Sequence, residues 1–107
     1  MNERRTQPRK PFAGKAYLTY NGRCRCEDVI DVCQDGLLLA TDARLKPGKD
    51  VKVFLPLPGQ RGWRLCLLKG TVARREKGRR GESRLGITLR EDEIDTRELL
   101  AAYCFAA

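Results

Sequence analysis

Histidine is absent from the 107-residue chain, tryptophan and methionine occur once each, and aromatic residues make up only 7%. Without histidine, the chain has no imidazole to activate a serine or cysteine nucleophile, to shuttle protons or to ligate a metal. It also lacks a nucleophile elbow, a phosphate-binding glycine loop and a clear constellation of paired carboxylates. A protein that is not an enzyme is therefore expected. No apolar run approaches the roughly 20 residues needed to span a bilayer. Met1-Asn2-Glu3-Arg4-Arg5 carries charge with no apolar stretch behind it, so neither a signal peptide nor membrane insertion is expected, and the cytoplasm is the expected location. The five cysteines, Cys24, Cys26, Cys33, Cys66 and Cys104, are odd in number and scattered, unlike a secreted disulfide framework. Cys24-x-Cys26 lacks the CxxC spacing of common metal sites, and its alternation reads as two buried core thiols with no metal bound.

Basic residues, by contrast, are plentiful: 22 lysines and arginines stand against 14 acidic residues, a net charge of +8. That excess favours an anionic partner, without choosing between nucleotide, nucleic acid, membrane surface and acidic protein. The length allows one domain, and 41% hydrophobic residues suffice for its core.

Residues 1–12 are polar and basic, with Pro8 and Pro11 opposing regular structure, and read as a flexible ligand-binding arm before a barrel over residues 13–107. From Ala16 the period is two. Ala16, Leu18 and Tyr20 share a face, and Asn21-Gly22 marks a tight hairpin. On the return strand, about Arg23 to Cys33, Cys24, Cys26, Ile30 and Val32 fall on one parity. A further strand alternates cleanly through Val51, Val53, Leu55 and Leu57. The next places Trp63, Leu65 and Leu67 inward, and a parity change after Gly70 predicts a β-bulge there. Leu85, Ile87 and Leu89 face in from the last strand. Asp95 to Glu98 resembles a capping box, ahead of a helical stripe of Leu99, Leu100, Tyr103 and Cys104. Five or six short strands and one helix predict a small, all-β, antiparallel barrel closed by a short C-terminal helix.

Two patterns carry chemistry. Arg5-x-x-x-Arg9, with Arg4 and Lys10 beside it, supplies planar guanidinium forks that fit guanine O6 and N7 or phosphate oxygens. Asp31-x-Cys33-x-x-Gly36 places a carboxylate and a thiol on one strand face, ahead of a turn where glycine permits close backbone approach. The carboxylate can accept from guanine N1–H and N2–H. Each pattern alone is equally the ordinary look of a solvated basic terminus or a strand exit.

In this order and barrel context, the two patterns resemble the PilZ domain, a bacterial cyclic di-GMP receptor module whose signature is RxxxR followed by D/NxSxxG. Arg5 and Arg9 match the first motif, while Asp31 and Gly36 match the second with Cys33 in the serine position. Val51 to Pro58, Gly70 to Arg74, Leu85 to Leu89 and the closing helix are also similar to the family's later strands and tail. The resemblance implies a six-stranded antiparallel barrel and an arm that orders over cyclic di-GMP. It further implies an Arg5–Arg9 clamp, Asp31 as guanine acceptor, Gly36 as the position of close approach, and Arg4 as an extra contact. A downstream protein partner is implied as well. Thiols donate and accept more weakly than hydroxyls, so Cys33 is expected to reduce affinity without abolishing binding. Two rival readings stay open. One is a diverged PilZ-like interaction module that does not bind nucleotide. The other is a nucleic-acid-binding barrel using Arg74, Arg75, Lys77, Arg79, Arg80 and Arg84, although the lack of interleaved aromatics there favours a solvated loop.

Overall fold

The computed structural model describes residues 9–59 and 62–105. In chain order the elements are β1 (Lys10–Tyr20), β2 (Arg23–Cys33), β3 (Gly36–Ala40), β4 (Asp50–Gly59), β5 (Gly62–Lys77), β6 (Ser83–Leu89) and α1 (Ile94–Phe105). All strand pairs are antiparallel, and the order β1-β2-β3-β6-β5-β4 closes into a barrel. Closure satisfies backbone groups that an open sheet would leave unpaired at its edges. Asn21 and Gly22 both have positive φ, 49° and 74°, the geometry that lets a two-residue turn follow the strand twist between β1 and β2.

The core is aliphatic. Ala16, Leu18, Val32, Val53, Leu55, Leu68, Val72 and Leu85 are almost wholly excluded from solvent. Leu100 of α1 is equally buried and seals one end of the barrel, with Leu99, Tyr103 and Cys104 packed beside it. The Tyr103 ring meets Phe12 edge-on at 5.8 Å, and Lys10 Nζ donates to the Tyr103 carbonyl at 3.2 Å. These contacts tie the start of β1 to the helix. They also show that β1 is under way by Lys10, so residues 10–12 of the expected arm belong to the sheet. Residues 1–8 lie outside the described part of the chain.

Bulges overturn part of the alternation. In β2 the register shifts between Val29 and Asp31, so Val29 and Val32 both point inward across one inserted residue. The parity before the shift is therefore reversed. Cys24 and Cys26 are exposed, contrary to the expected core thiols, and Ile30 is only half-buried. In β5 the inward row is Cys66, Leu68, Gly70 and Val72. Trp63, Leu65 and Leu67 point outward, with Trp63 73% exposed, and the bulge falls between Val72 and Arg74 instead of directly after Gly70. The helix begins at Ile94, so Asp95 sits in its first turn, where its charge complements the helix N-terminus, and does not precede it as a cap. Thr96 Oγ1 donates to the Leu67 carbonyl at 3.3 Å, fastening this end of the helix to β5.

Candidate functional site

The end of β2 and the turn into β3 form the floor of a small cavity of about 100 Å³. Arg9, Asp31, Cys33 and Gly36 all line it, so four of the six residues singled out from the sequence converge on one place. Arg4 and Arg5 lie outside the described residues.

The convergence has a local cause. Lys10 pairs with Val32 and Pro11 with Asp31, so the entry of β1 lays Arg9 beside the exit of β2. Arg9 Nη1 lies 3.8 Å from Asp31 Oδ2. Asp31 and Cys33 flank the inward-pointing Val32 and therefore project to the outer side together. Gly36 pairs with Thr88 of β6, and a Cβ on it would collide with the Ile87 carbonyl oxygen, so only glycine allows β3 to leave the turn this close to β6.

Arg74, one of the basic hairpin residues and the end of the family-like Gly70–Arg74 segment, also borders the cavity. The bulge in β5 places its side chain across Gly86, where a Cβ would come within 3.2 Å of Arg74 Cγ. A second guanidinium thus borders the same cavity from β5, beyond β3 and β6 in the barrel. Arg74 Nε is paired with Glu76 at 3.3 Å, but both groups are substantially exposed and the pair is correspondingly weak.

Behind the turn stands a support that spacing does not reveal. Arg97 Nε donates to Asp35 Oδ1 at 2.8 Å, and its Nη atoms reach the carbonyls of Leu89, Arg90, Glu91 and Glu93. The Leu89 amide also donates to the Asp35 carbonyl at 2.8 Å. The turn that presents Gly36 is therefore held by the start of α1. From below, Cys104 Sγ approaches the Val32 carbonyl at 3.5 Å. Burial pushes the Cys104 thiol up, and the neighbouring Cys33 adds to that shift, so Cys104 remains protonated near neutrality. Among the described residues, no group of three or more cysteines and carboxylates is arranged to hold a metal.

This arrangement offers guanidinium donors on two sides, a carboxylate between them and a glycine-lined approach, which is chemistry for binding an anionic, hydrogen-bonding ligand. No described helix is long and apolar enough to cross a membrane.

The comparisons with known proteins agree with the architecture. The family model described as PilZ domain matches residues 3–106. The Bacillus subtilis inhibitor of motility MotI/DgrA is similar with a TM-score of 0.83 at 13% identity, over 96% of this chain and 50% of that one. Borreliella burgdorferi PlzA, solved in complex with c-di-GMP, gives a TM-score of 0.67 at 17% identity, over 94% of this chain and 41% of that one. The PilZ domain of Escherichia coli YcgR, solved with c-di-GMP, gives 0.59 at 15% identity, over 96% of this chain and 90% of that one. The chain thus spans half or less of the first two proteins and nearly all of the third. A search of curated proteins returns no match.

Proposed function

Since the chain belongs to the PilZ domain family, we propose that it is a cyclic di-GMP receptor, binding the ligand between its N-terminal arm and the β2–β3 turn. The observation that carries this reading is the shared cavity of Arg9, Asp31, Cys33 and Gly36. In the proposed mode Arg5 and Arg9 clamp guanine and phosphate, with Arg4 as an additional contact. Asp31 accepts from the guanine Watson–Crick edge, and Gly36 lets the base approach the backbone. Arg74 adds a further guanidinium from the far side. The cavity is small, so it receives the edge of a base while the rest of the dinucleotide lies over the surface toward the arm.

The receptor is proposed to act in the cytoplasm without catalysis, as an adaptor whose ligand-bound arm signals to a partner protein. The supporting surface for that partner is the outward apolar row of Trp63, Leu65 and Leu67, since contiguous apolar surface of this kind marks interaction sites. The same row favours the second reading, an interaction module that does not bind nucleotide. Titration calorimetry with cyclic di-GMP separates the two. Saturable heat at one site supports the receptor, and absence of heat leaves the interaction module. Single-stranded oligonucleotides in parallel test the basic hairpin, where binding that falls steeply with salt would favour the nucleic-acid reading.

A further inference from the structure

A second cavity, about 460 Å³ and larger than the one at the β2–β3 turn, shares no lining residue with it and lies between the β1–β2 hairpin and the start of β4. Its volume is within the range of small-molecule sites. The strands create it by diverging: β1 pairs with β4 only from Tyr17 to Thr19, after which the hairpin swings away from the sheet. Tyr20, half-buried, and Val51, buried, give the cleft an apolar floor.

Four cations border this cleft: Arg23, Lys52, Lys69 and Arg90. Lys52 and Lys69 are direct cross-strand partners, on β4 and β5. Both follow the outward parity of Phe54 and Leu67, so their ammonium groups share one face of the sheet. Like charges directly opposite one another destabilise a sheet. Among the described residues, no carboxylate lies within ion-pair distance of Lys52, Lys69 or Arg23, and Arg90 has only a loose, exposed pairing to Asp92 at 3.7 Å. Asp50 is the one acidic group lining the cleft.

Main-chain contacts fix the segments that carry three of the cations. The Arg90 amide donates to the Lys69 carbonyl at 3.1 Å, and Thr19 Oγ1 donates to the Lys52 carbonyl at 3.2 Å. Four positive groups from four segments therefore converge on a concavity, with two of them opposed across a ladder where the fold alone gains nothing from them.

We propose that this cleft is a second anion site, separate from the β2–β3 turn, that holds the phosphate group of a small molecule. The phosphate sits between Lys52 and Lys69 with Arg23 and Arg90 at its sides, which turns their mutual repulsion into shared attraction. Asp50 is then placed to accept from a hydroxyl or amine on the remainder of the ligand, and Tyr20 and Val51 to receive its apolar part.

The test is thermal unfolding and amide chemical-shift mapping, with inorganic pyrophosphate and with ribose 5-phosphate as probes. The wild type is expected to gain about 4 °C or more in Tm at saturating probe, with shifts centred on Gly22, Lys52, Lys69 and Gly70. Lys69→Gln is expected to unfold at an equal or higher temperature than wild type without probe and to lose most of the response. Arg79→Gln/Arg80→Gln removes more charge far from the cleft and retains the response, as does Arg9→Ala. A response to the sugar phosphate as well as pyrophosphate identifies a phosphate ester as the ligand class, and a response to pyrophosphate alone identifies free inorganic phosphates. No response in wild type, or one reduced equally by the 79/80 variant, means diffuse counterion binding and overturns the proposal.

Discussion

Arg9 and Asp31 face each other across the junction of β1 and β2, with Nη1 and Oδ2 separated by 3.8 Å and with 31% and 21% of their side-chain surfaces exposed. The relationship matters because each is a proposed ligand contact, and each is the other's counter-charge. A loose, partly solvated ion pair contributes between about 0 and 1 kcal/mol. Opening it for a guanine and a phosphate therefore costs little.

Cys33 carries a signed prediction. A hydroxyl makes a stronger hydrogen bond than a thiol, so Cys33→Ser is expected to leave cyclic di-GMP affinity equal or to raise it by up to about tenfold. Calorimetric titration of the variant checks this, and a clear loss of affinity contradicts the role given to this position.

Gly36→Ala is expected to destabilise the barrel, since its Cβ would meet the Ile87 carbonyl oxygen across a β3–β6 backbone pair. The two backbones have to separate to admit it, so a loss of about 1–3 kcal/mol is expected, comparable to other overpacking changes. Urea unfolding measures it. A variant as stable as wild type contradicts the close approach.

Arg97→Ala removes the link between α1 and the Asp35 turn. The expected result is faster hydrogen exchange at the amides of Asp35, Gly36 and Leu89, with a weaker effect at Leu18 in the core. Uniformly faster exchange would indicate a general loss of stability and not a local support.

Trp63, the only tryptophan, lies on the outer face and is 73% exposed. Its fluorescence is expected to be red-shifted and readily quenched by iodide, and Trp63→Ser is expected to change stability by no more than about 0.5 kcal/mol. A blue-shifted, protected emission from the isolated monomer contradicts the outward assignment.

Cysteine chemistry tests the same parity argument. Burial pushes the Cys66 thiol up, whereas Cys24 and Cys26 are exposed, so alkylation at mildly alkaline pH is expected at Cys24 and Cys26 well before Cys66. A raised folded-state value means the native state holds its proton longer than the unfolded chain. Stability from this group is fully present below the ordinary thiol value of about 8.5 and declines as pH rises through the higher folded value. Cys66→Val is expected to flatten that alkaline decline in urea unfolding experiments.

Much of the barrel is legible in the residues themselves. Val51, Val53, Leu55 and Leu57 hold one parity along β4, Asn21-Gly22 marks its turn, and Leu99, Leu100, Tyr103 and Cys104 show a helical stripe. The errors have one physical source. In β5, Leu65, Cys66, Leu67 and Leu68 place apolar residues on both parities, so alternation alone does not choose the inner face. In β2, the bulge that brings both Val29 and Val32 inward leaves no compositional trace. Cross-strand pairing decides both. At the site, Asp31, Cys33 and Gly36 were readable from spacing, but the Arg97–Asp35 contact spans 62 residues and arises only when the helix folds back. Arg74 was visible as a basic residue, and only the bulge turns it toward the cavity.

The central claim is tested most directly by calorimetric titration of cyclic di-GMP into wild type, Arg9→Ala and Asp31→Ala side by side. Loss of a charge-assisted contact is worth about 1.5–3 kcal/mol, so each variant is expected to bind roughly ten- to a hundredfold more weakly than wild type. Saturable binding that both variants retain undiminished would contradict the site at the β2–β3 turn, and absence of binding by wild type would contradict the receptor itself.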